Sequence, residues 1–370
     1  MRKLCSFLGL IACMSLQARE PNCNTKPLPP LFEEGDQGLC KNADAGYPYP
    51  ARVKLKCGWD LDVSASYIYW FAGQDGLDLA TTSVYTPVVG FVPAVESTTI
   101  YQSESYNSGF KVGLGWALPD DNWVLRADYT WYHSTTHLSA SADDDPTAAF
   151  QMTNWFYQTS DLEQTPGAQE LSSKWGVKID WLDLVLQRPF YAGRKLTINP
   201  FMGLRASWIR QKINITLEDL LNFTPPTPSV KSKNYSRAWA IGPRFGVDGR
   251  FLFGGGFRLQ GGLAGEILYN QFTKVSHSED PLSVGSTGVS YASKNNDNVR
   301  VMSEANLGVG WGGYFSRNRF HVDFSATYEF NHLPEQNQIR VLNDIQIDRV
   351  NATAKTLFLH GLTLTGTFSF

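Results

Sequence analysis

The chain has 370 residues and a formal net charge of −3; 13% of its residues are aromatic and 32 are glycine. Such a mildly acidic balance gives no electrostatic reason for binding to nucleic acid or to an anionic membrane surface. After the amino terminus, no stretch approaches the roughly 18–20 consecutive apolar residues of a membrane helix, so the aromatic surplus indicates either a soluble all-β core or the lipid-facing surface of a barrel.

The amino terminus has the plan of a secretory signal peptide. Arg2 and Lys3 precede an apolar run from Leu4 to Leu16 that is too short to span a bilayer as a helix. We therefore predict export, with a signal peptide over residues 1–18. The alternative is a lipoprotein box at residues 10–13, which would leave Cys13 lipidated.

Residues 19–57 are rich in proline, asparagine and charge, which predicts an irregular segment before the first strand. This segment contains Cys23, Cys40 and Cys57, the cysteines that remain after cleavage. In an oxidising compartment, three thiols allow one internal disulfide with one thiol left over, or a cross-link between chains. Their spacing is not that of a metal site.

Over residues 58–370, apolar and polar residues alternate with period two, which is the signature of β-strands. In the first strand, for example, Val63 and Tyr67 alternate with Asp62 and Ser64. Ten segments show this pattern, around residues 60–71, 109–118, 123–131, 174–186, 196–208, 239–248, 257–269, 299–311, 320–330 and 356–370.

The fourth segment changes its apolar parity partway along. Its first half has an apolar face from Trp175 to Trp181, opposite Lys174, Lys178 and Asp180. The apolar positions then move to Leu182 and the alternate residues that follow it. An added residue in one strand has this effect, so we predict a β-bulge here.

The connections between the ten segments alternate in length. Short turns are expected near residues 119–122, 188–195, 249–256 and 316–319, and long polar loops over 72–106, 134–173, 214–235, 273–298 and 331–355. Short periplasmic turns and long external loops are the plan of an outer membrane barrel, which a soluble sandwich would not require. We predict an all-β fold, a transmembrane antiparallel β-barrel of about 10–12 strands. The larger number applies if residues 84–101 form a further hairpin.

The polar face of these strands carries full charges of both signs. The candidates for lining a pore are Lys111, Arg126, Asp128, Arg205, Arg244, Arg258, Glu266, Arg300, Glu304 and Glu329. In a barrel of about 10–12 strands the lumen is narrow, so opposite charges should pair and constrict it. The alternative is that these pairs only fill and stabilise a closed barrel.

The carboxyl terminus has the form of a closing strand. Leu362, Leu364, Phe368 and Phe370 share one face, which we expect to face lipid and to be read by the barrel-assembly machinery.

No residue pattern predicts a metal, a cofactor or catalysis. His133 and His137 are interpreted as the end of a strand and the start of a loop, where their spacing loses its meaning for metal binding. The run Asp143–Asp145 is interpreted as a solvated loop rather than a calcium site. A hydrolase at the outer rim would need an acid–base pair, for which these histidines, His277 and His332 are the candidates.

Several blocks together carry a family resemblance. The chain resembles the legionella-type pore-forming outer membrane proteins, relatives of the chlamydial major outer membrane proteins. The blocks are Tyr67–Trp70 with Asp75–Asp78, Gly109–Gly115, Tyr129–Ser134, Pro200–Arg205, Phe315–Phe324 and Leu359–Leu364. The resemblance implies a porin-like barrel at the cell surface, without identifying a solute or a binding residue. Cysteine cross-linking is a feature of the chlamydial relatives, and the few cysteines here argue against it.

These observations predict a pore-forming protein of the bacterial outer membrane that passes small solutes or ions by diffusion and is not an enzyme. Its expected partners are outer-membrane lipid, the assembly machinery and the solutes, and oligomers are compatible with the sequence. The alternatives are a surface adhesin or antigen, whose long loops are the working part, and a hydrolase embedded in the barrel.

Overall fold

The computed structural model describes residues 51–56, 58–86, 90–93, 97–118, 122–142, 148–152, 155–157, 167–220, 229–280, 288–347 and 354–370. The predicted signal peptide, the lipoprotein box, Cys23, Cys40, Cys57 and the run Asp143–Asp145 lie outside these residues. Among the described residues, no helix is long and apolar enough to cross a membrane.

Strands make up most of the described chain. They are β1 (Leu61–Gln74), β2 (Asp78–Thr86), β3 (Gly90–Pro93), β4 (Thr99–Tyr101), β5 (Tyr106–Ala117), β6 (Val124–Ser141), β7 (Ala148–Met152), β8 (Gly167–Gln187), β9 (Phe190–Tyr191), β10 (Leu196–Leu220), β11 (Val230–Gly254), β12 (Phe257–Glu279), β13 (Ser290–Ser293), β14 (Asn296–Phe315), β15 (Phe320–Leu333) and β16 (Leu357–Ser369). One helix, α1 (Gln338–Ile347), lies between β15 and β16.

Ten of these strands close into an antiparallel barrel. Following the ring, β1, β5, β6, β8, β10, β11, β12, β14, β15 and β16 each pair with the next, and β16 pairs back with β1. Since β1 pairs directly with β5, the short strands β2, β3 and β4 between them lie outside the ring and pair with one another and with β7. The predicted all-β barrel is confirmed with ten strands, and the further hairpin adds none to the ring.

The outer surface carries the apolar side chains that the alternation predicts. Met202, Leu263 and Val301 are each exposed by 60% or more, and such residues recur around the ring. Because successive side chains on a strand point to opposite faces, the charged positions between them face the interior. One end of the barrel has the short turns, and we call it the short-turn end. The other, where the strands run on, is the extended end.

The predicted β-bulge in the fourth segment is wrong. The pairing of β8 with β6 and with β10 runs without a register shift. Trp175 and Trp181 point into the barrel and are almost completely buried, whereas Lys174 and Lys178 are exposed on the outside. Odd-numbered residues of β8 therefore point inward along the whole strand, and what changes along it is the surroundings of each face. Towards the extended end many inward side chains are apolar and many outward ones are polar, in contrast to the membrane-facing part.

The strands also run much further than predicted. β10 and β11 have 25 residues each, while about 9–11 residues of a tilted strand cross a bilayer. Large parts of the predicted loops 134–173, 214–235 and 273–298 are therefore strand. At the extended end these strands enclose a core of their own, to which Leu79, Phe150 and Trp155 belong.

Helix α1 lies within a predicted loop and packs against β11 and β12. Asn337 caps its start, because its side-chain oxygen accepts a hydrogen bond from the backbone N–H of Arg340 at 3.1 Å. The same side chain donates to the carbonyl oxygen of Asp75 at 3.1 Å, which fixes the start of the helix to the end of β1.

Residues 51–56 contact three turns at the short-turn end. The backbone N–H of Ala51 donates to Pro189, and that of Lys56 to Asn318. The guanidinium of Arg52 donates to the carbonyl oxygen of Leu118 at 2.9 Å. The segment just before β1 is therefore held across this end of the barrel.

Candidate functional site

The interior of the barrel is the candidate site, and its charged residues come from the inward positions of the ten strands. All ten residues predicted to line a pore have inward positions: Lys111, Arg126, Asp128, Arg205, Arg244, Arg258, Glu266, Arg300, Glu304 and Glu329. Their role in conduction stays a prediction.

The centre of the interior holds a buried network of two arginines and three carboxylates. Arg205 on β10 binds Asp183 on β8 through two hydrogen bonds of 2.6 Å. Its guanidinium also contacts Glu304 and lies 3.2 Å from Glu266. Arg244 binds both of these glutamates, with Glu304 at 2.6 Å. Because β10 and β14 are separated by two strands, these contacts extend across the lumen.

Four further ion pairs surround this network. Arg126 binds Asp128 at 2.7 Å and Asp62 at 2.9 Å. Arg258 binds both oxygens of Asp323, at 2.5 and 2.7 Å, and Lys111 binds Glu329 at 2.5 Å. We call these ion pairs and the central network together the charged belt. The one outlier among the predicted residues is Arg300, which lies nearer the extended end and contacts Glu335.

A polar cavity of about 300 Å³ lies within the charged belt. Its lining includes Asn199, Gln260 and Thr365 besides the charged groups. A second cavity of about 170 Å³ adjoins it at the short-turn end, since Arg126, Asn199 and Asp323 line both. Residues 51–53 line the outer part of that second cavity. We call the two together the polar chamber.

Two charged residues of the chamber were missed in the sequence. Asp183 lies between the outward Leu182 and Leu184 of β8, on the inward parity, and was not counted among the charged candidates. Arg250 lies on the inward parity of β11, two residues beyond Asp248, and was assigned to a turn. Among the described residues Arg250 has no ion pair within 4 Å, and its side chain lines both cavities. The parity of β11 could have identified it.

Three aromatic side chains close the chamber towards the extended end, and we call them the aromatic cap: Trp70, Tyr132 and Trp181. The ring centroids of Trp70 lie 5.7 Å from those of Tyr132 and 6.2 Å from those of Trp181. All three residues are 1% exposed or less. Trp70 and Tyr132 lie on the polar parity of their strands, a signal in the sequence that would have placed them inside.

The aromatic cap rests directly on the charged belt. Lys111 lies 4.7 Å from the ring of Trp70, and the Arg205 guanidinium lies 4.6 Å from that of Trp181. Both geometries are cation–π contacts. The indole N–H of Trp70 donates to Thr363 at 3.2 Å, whereas that of Trp181 makes no hydrogen bond among the described residues. Packing and the arginine therefore hold Trp181.

Beyond the cap, apolar side chains fill much of the interior, and buried polar residues such as Ser207, Asn270 and Arg300 lie among them. Ile179, Ile213 and Phe272 are each 1% exposed or less, and Leu268 and Met302 line a void of only about 10 Å³. A water molecule needs about 10–15 Å³ and several polar partners, so this void, which Ser207, Asn270 and Arg300 also line, has room for about one water molecule. Among the described residues, the lumen therefore has a polar chamber with room for water-sized molecules near the short-turn end, and it is tightly packed, largely by apolar side chains, towards the extended end.

The four histidines considered for catalysis lie apart. His133, His137 and His332 are on the outward parity of β6 and β15, and β6 continues to Ser141, so the predicted strand end at His133 is wrong. His277 points inward at the extended end, where its ring contacts Glu279 at 2.7 Å and Asn234 at 2.8 Å.

The histidine–glutamate pair is closed off from solvent. His277 and Glu279 have fully buried side chains, and Tyr291 stacks on the imidazole at 4.5 Å. Burial and the Glu279 carboxylate raise the pKa of the Tyr291 phenol. A substrate would have no access to this pair in the observed conformation.

The four residues of the predicted closing strand lie where the barrel closes. Leu362, Leu364 and Phe368 are outward and about 40% exposed. Phe370 follows β16, and its backbone N–H donates to Leu61 on β1 at 2.9 Å. Recognition of this strand by an assembly machinery stays a prediction.

Comparison with known proteins gives one family. Residues 54–370 match the family model described as "Legionella pneumophila major outer membrane protein precursor". No curated protein matches the chain.

Three similar solved structures are distant in sequence. The outer membrane protease OmpT of Escherichia coli is 12% identical, with 84% of this chain and 96% of that chain covered and a TM-score of 0.35. The translocator domain of the autotransporter NalP of Neisseria meningitidis is 12% identical, with 85% and 89% covered and a TM-score of 0.33. A FadL homologue of Pseudomonas aeruginosa is 8% identical, with 84% and 89% covered and a TM-score of 0.27.

Proposed function

The chain belongs to the Legionella major outer membrane protein family, and from this premise we propose that it is a narrow pore with an aromatic closure, and not an enzyme. It is a β-barrel protein of the bacterial outer membrane, in which short turns face the periplasm and the extended end faces outward. The polar chamber is then the periplasmic part of the conduction path, and the aromatic cap with the apolar layer beyond it separates the chamber from the outside.

The observation that carries this proposal is the polar chamber of charged and amide side chains, which lies at the short-turn end. A barrel that used its interior only as a structural core would gain nothing from Arg250, a cation with no ion pair among the described residues. Apolar constrictions stop ions by excluding water, so conduction requires the cap and the packed interior beyond it to move. We expect small conductance and rare openings, with weak ion preference because the belt contains both signs of charge.

Planar-bilayer recording tests the proposal with Trp181→Ala. Removing the indole opens space beside Arg205, and we expect a several-fold larger conductance and longer openings than in the wild type. The matched control is Trp116→Ala, which removes the same side chain from the outer, lipid-facing surface of β5, where it is 40% exposed. The control should conduct like the wild type.

Heat-modifiable migration on gels shows that each protein is folded before recording. Folded wild type and folded Trp181→Ala that both lack channels would contradict the pore. Surface recognition would then take its place, a function favoured by the long strands that carry an apolar core beyond the membrane.

A further inference from the structure

Four cations lie side by side on the outside of the barrel, and we call them the cation row: Lys178, Arg210, Arg237 and Lys274. They are direct neighbours across adjacent strands. Lys178 on β8 pairs with Arg210 on β10, Arg210 with Arg237 on β11, and Arg237 with Lys274 on β12. All four side chains are exposed. With adjacent strands roughly 4.8 Å apart, the row extends over about 15 Å.

A β-bulge brings the last member into the row. Before the bulge, the outward residues of β12 have odd numbers, such as Ile267 and Tyr269. The register between β11 and β12 shifts after Arg237, so that Arg237 faces Lys274 while Ala238 faces Phe272. The shift turns Lys274 outward, next to three other cations. Bulges commonly redirect a side chain in this way.

The row lies at the level where lipid headgroups are expected. Trp208 precedes Arg210 by two residues on β10, and Trp239 follows Arg237 by two residues on β11. The two tryptophans are direct cross-strand neighbours on the short-turn side of the row, and Tyr269 lies at a similar level on β12. Outward aromatic residues of this kind mark the membrane interface. Two residues further along a strand is about 7 Å, which places the cations just outside the apolar band.

Protein carboxylates neutralise only part of the row. Asp180 lies 3.5 Å from Arg210. Among the described residues, Lys178, Arg237 and Lys274 have no ion pair within 4 Å. Like charges directly opposite on neighbouring strands destabilise a sheet. An anion from outside the chain, bound between these cations, would reduce their repulsion.

The row is confined to one wall of the barrel. The opposite wall is formed by β1 and β16, five strands away around the ring. At the aromatic level its outer surface presents Tyr69, Phe71 and His360, which pack with Tyr106. A general need for solubility would place cations around the whole circumference. A one-sided row indicates a specific contact.

We propose that the cation row binds the phosphate groups of lipid A, the anionic glycolipid of the outer leaflet. The row faces outward above the aromatic level, where the headgroups of that leaflet lie. Its length allows more than one phosphate to be bound at once, and arginine and lysine are the side chains that bind phosphate best. This inference rests on the outer membrane location and on the orientation proposed above, with the extended end outward, and does not depend on conduction.

The test uses the folded full chain in a non-ionic detergent, titrated with fluorescent bisphosphorylated lipid A. Arg210→Ser with Arg237→Ser removes the centre of the row. A cation near an anionic surface contributes about fivefold in affinity, so the double variant should bind about 25-fold more weakly. Wild-type binding should weaken with added salt, because exposed charges are screened.

The matched control is Arg194→Ser with Lys195→Ser, which removes two exposed cations from a periplasmic turn and should leave affinity unchanged. If the central double variant does not fold, Lys178→Ser with Lys274→Ser tests the ends of the row. Equal affinity of row variants and wild type would overturn the proposal, and so would equal binding of dephosphorylated lipid A. Competition by inorganic phosphate as strong as that by lipid A would show a small-anion site instead.

Discussion

Arg205 lies at the centre of the barrel interior, with Asp183, Glu266 and Glu304 around its guanidinium. Only 3% of its side chain is exposed, and the Glu266 side chain is fully buried. Charges removed from water lose a large hydration energy, which only close partners offset. Arg205 therefore offsets part of the free-energy cost of burying these carboxylates.

Arg205→Ala should lower the free energy of unfolding by about 3–5 kcal/mol, because it leaves buried carboxylates with one cation, Arg244, in place of two. Urea unfolding in detergent micelles, followed by tryptophan fluorescence, measures the change. Lys212→Ala is the matched control on the same strand, since Lys212 is outward and exposed. Its loss should change stability by no more than about 0.5 kcal/mol. Equal effects of the two substitutions would show that the belt does not hold the interior.

At the scale of elements, the closing pair β1 and β16 decides whether the ring is complete. Thirteen residue pairs run from Asp62 opposite Ser369 to Gln74 opposite Leu357. Gly361 lies in this seam opposite Trp70, with φ of 154°. A Cβ at this glycine would lie 2.8 Å from the Cα of Trp70 and even closer to the carbonyl oxygen of Tyr69. The two backbones approach too closely for a side chain.

Gly361→Ala should therefore force β16 away from β1 and destabilise the barrel by about 2 kcal/mol, in the range of overpacked cores. The measurement is the urea midpoint together with the yield of heat-modifiable protein. Gly366→Ala is the control on the same strand, because its Cβ would meet only the ring of Phe324 at 3.5 Å, an ordinary contact. A Gly361→Ala protein as stable as Gly366→Ala would contradict the close approach.

At the scale of the whole molecule, the barrel is longer than the membrane is thick. The part beyond the aromatic level is tied together by contacts between distant segments. Arg340 on α1 binds Asp78 on β2 at 3.1 Å and lies 5.5 Å from the ring of Trp155. The indole N–H of Trp155 donates to the carbonyl oxygen of Asp78 at 2.7 Å. The extended end is thus a packed extension of the barrel.

Spin labels on β10 should locate the membrane boundary. With the native cysteines replaced by serine, labels at Leu204 and Lys212 both point outward, and about 26 Å of strand separates them. In reconstituted bilayers the label at 204 should be relaxed mainly by oxygen and the label at 212 by a water-soluble nickel chelate. Oxygen preference at both positions would move the boundary above the cation row.

The outward and inward positions of most strands could be read from the sequence. Val63 and Asp62, or Phe245 and Arg244, take opposite faces because the side-chain direction in a strand is a local property of the backbone. The ten charged residues expected inside could be predicted for the same reason. The closing strand could also be predicted, since an apolar face at the carboxyl terminus of a barrel is expected to lie against lipid.

Only the tertiary structure decided what each face meets. Trp175 and Trp181 belong to an apolar face whose sequence pattern is that of a lipid-facing surface. This face points into the barrel, because the strand extends beyond the membrane there. The partners of Arg205 and the closure of the lumen by Trp70 and Trp181 depend on strands far apart in the chain. Ring closure and strand tilt set these distances, and no local pattern encodes them.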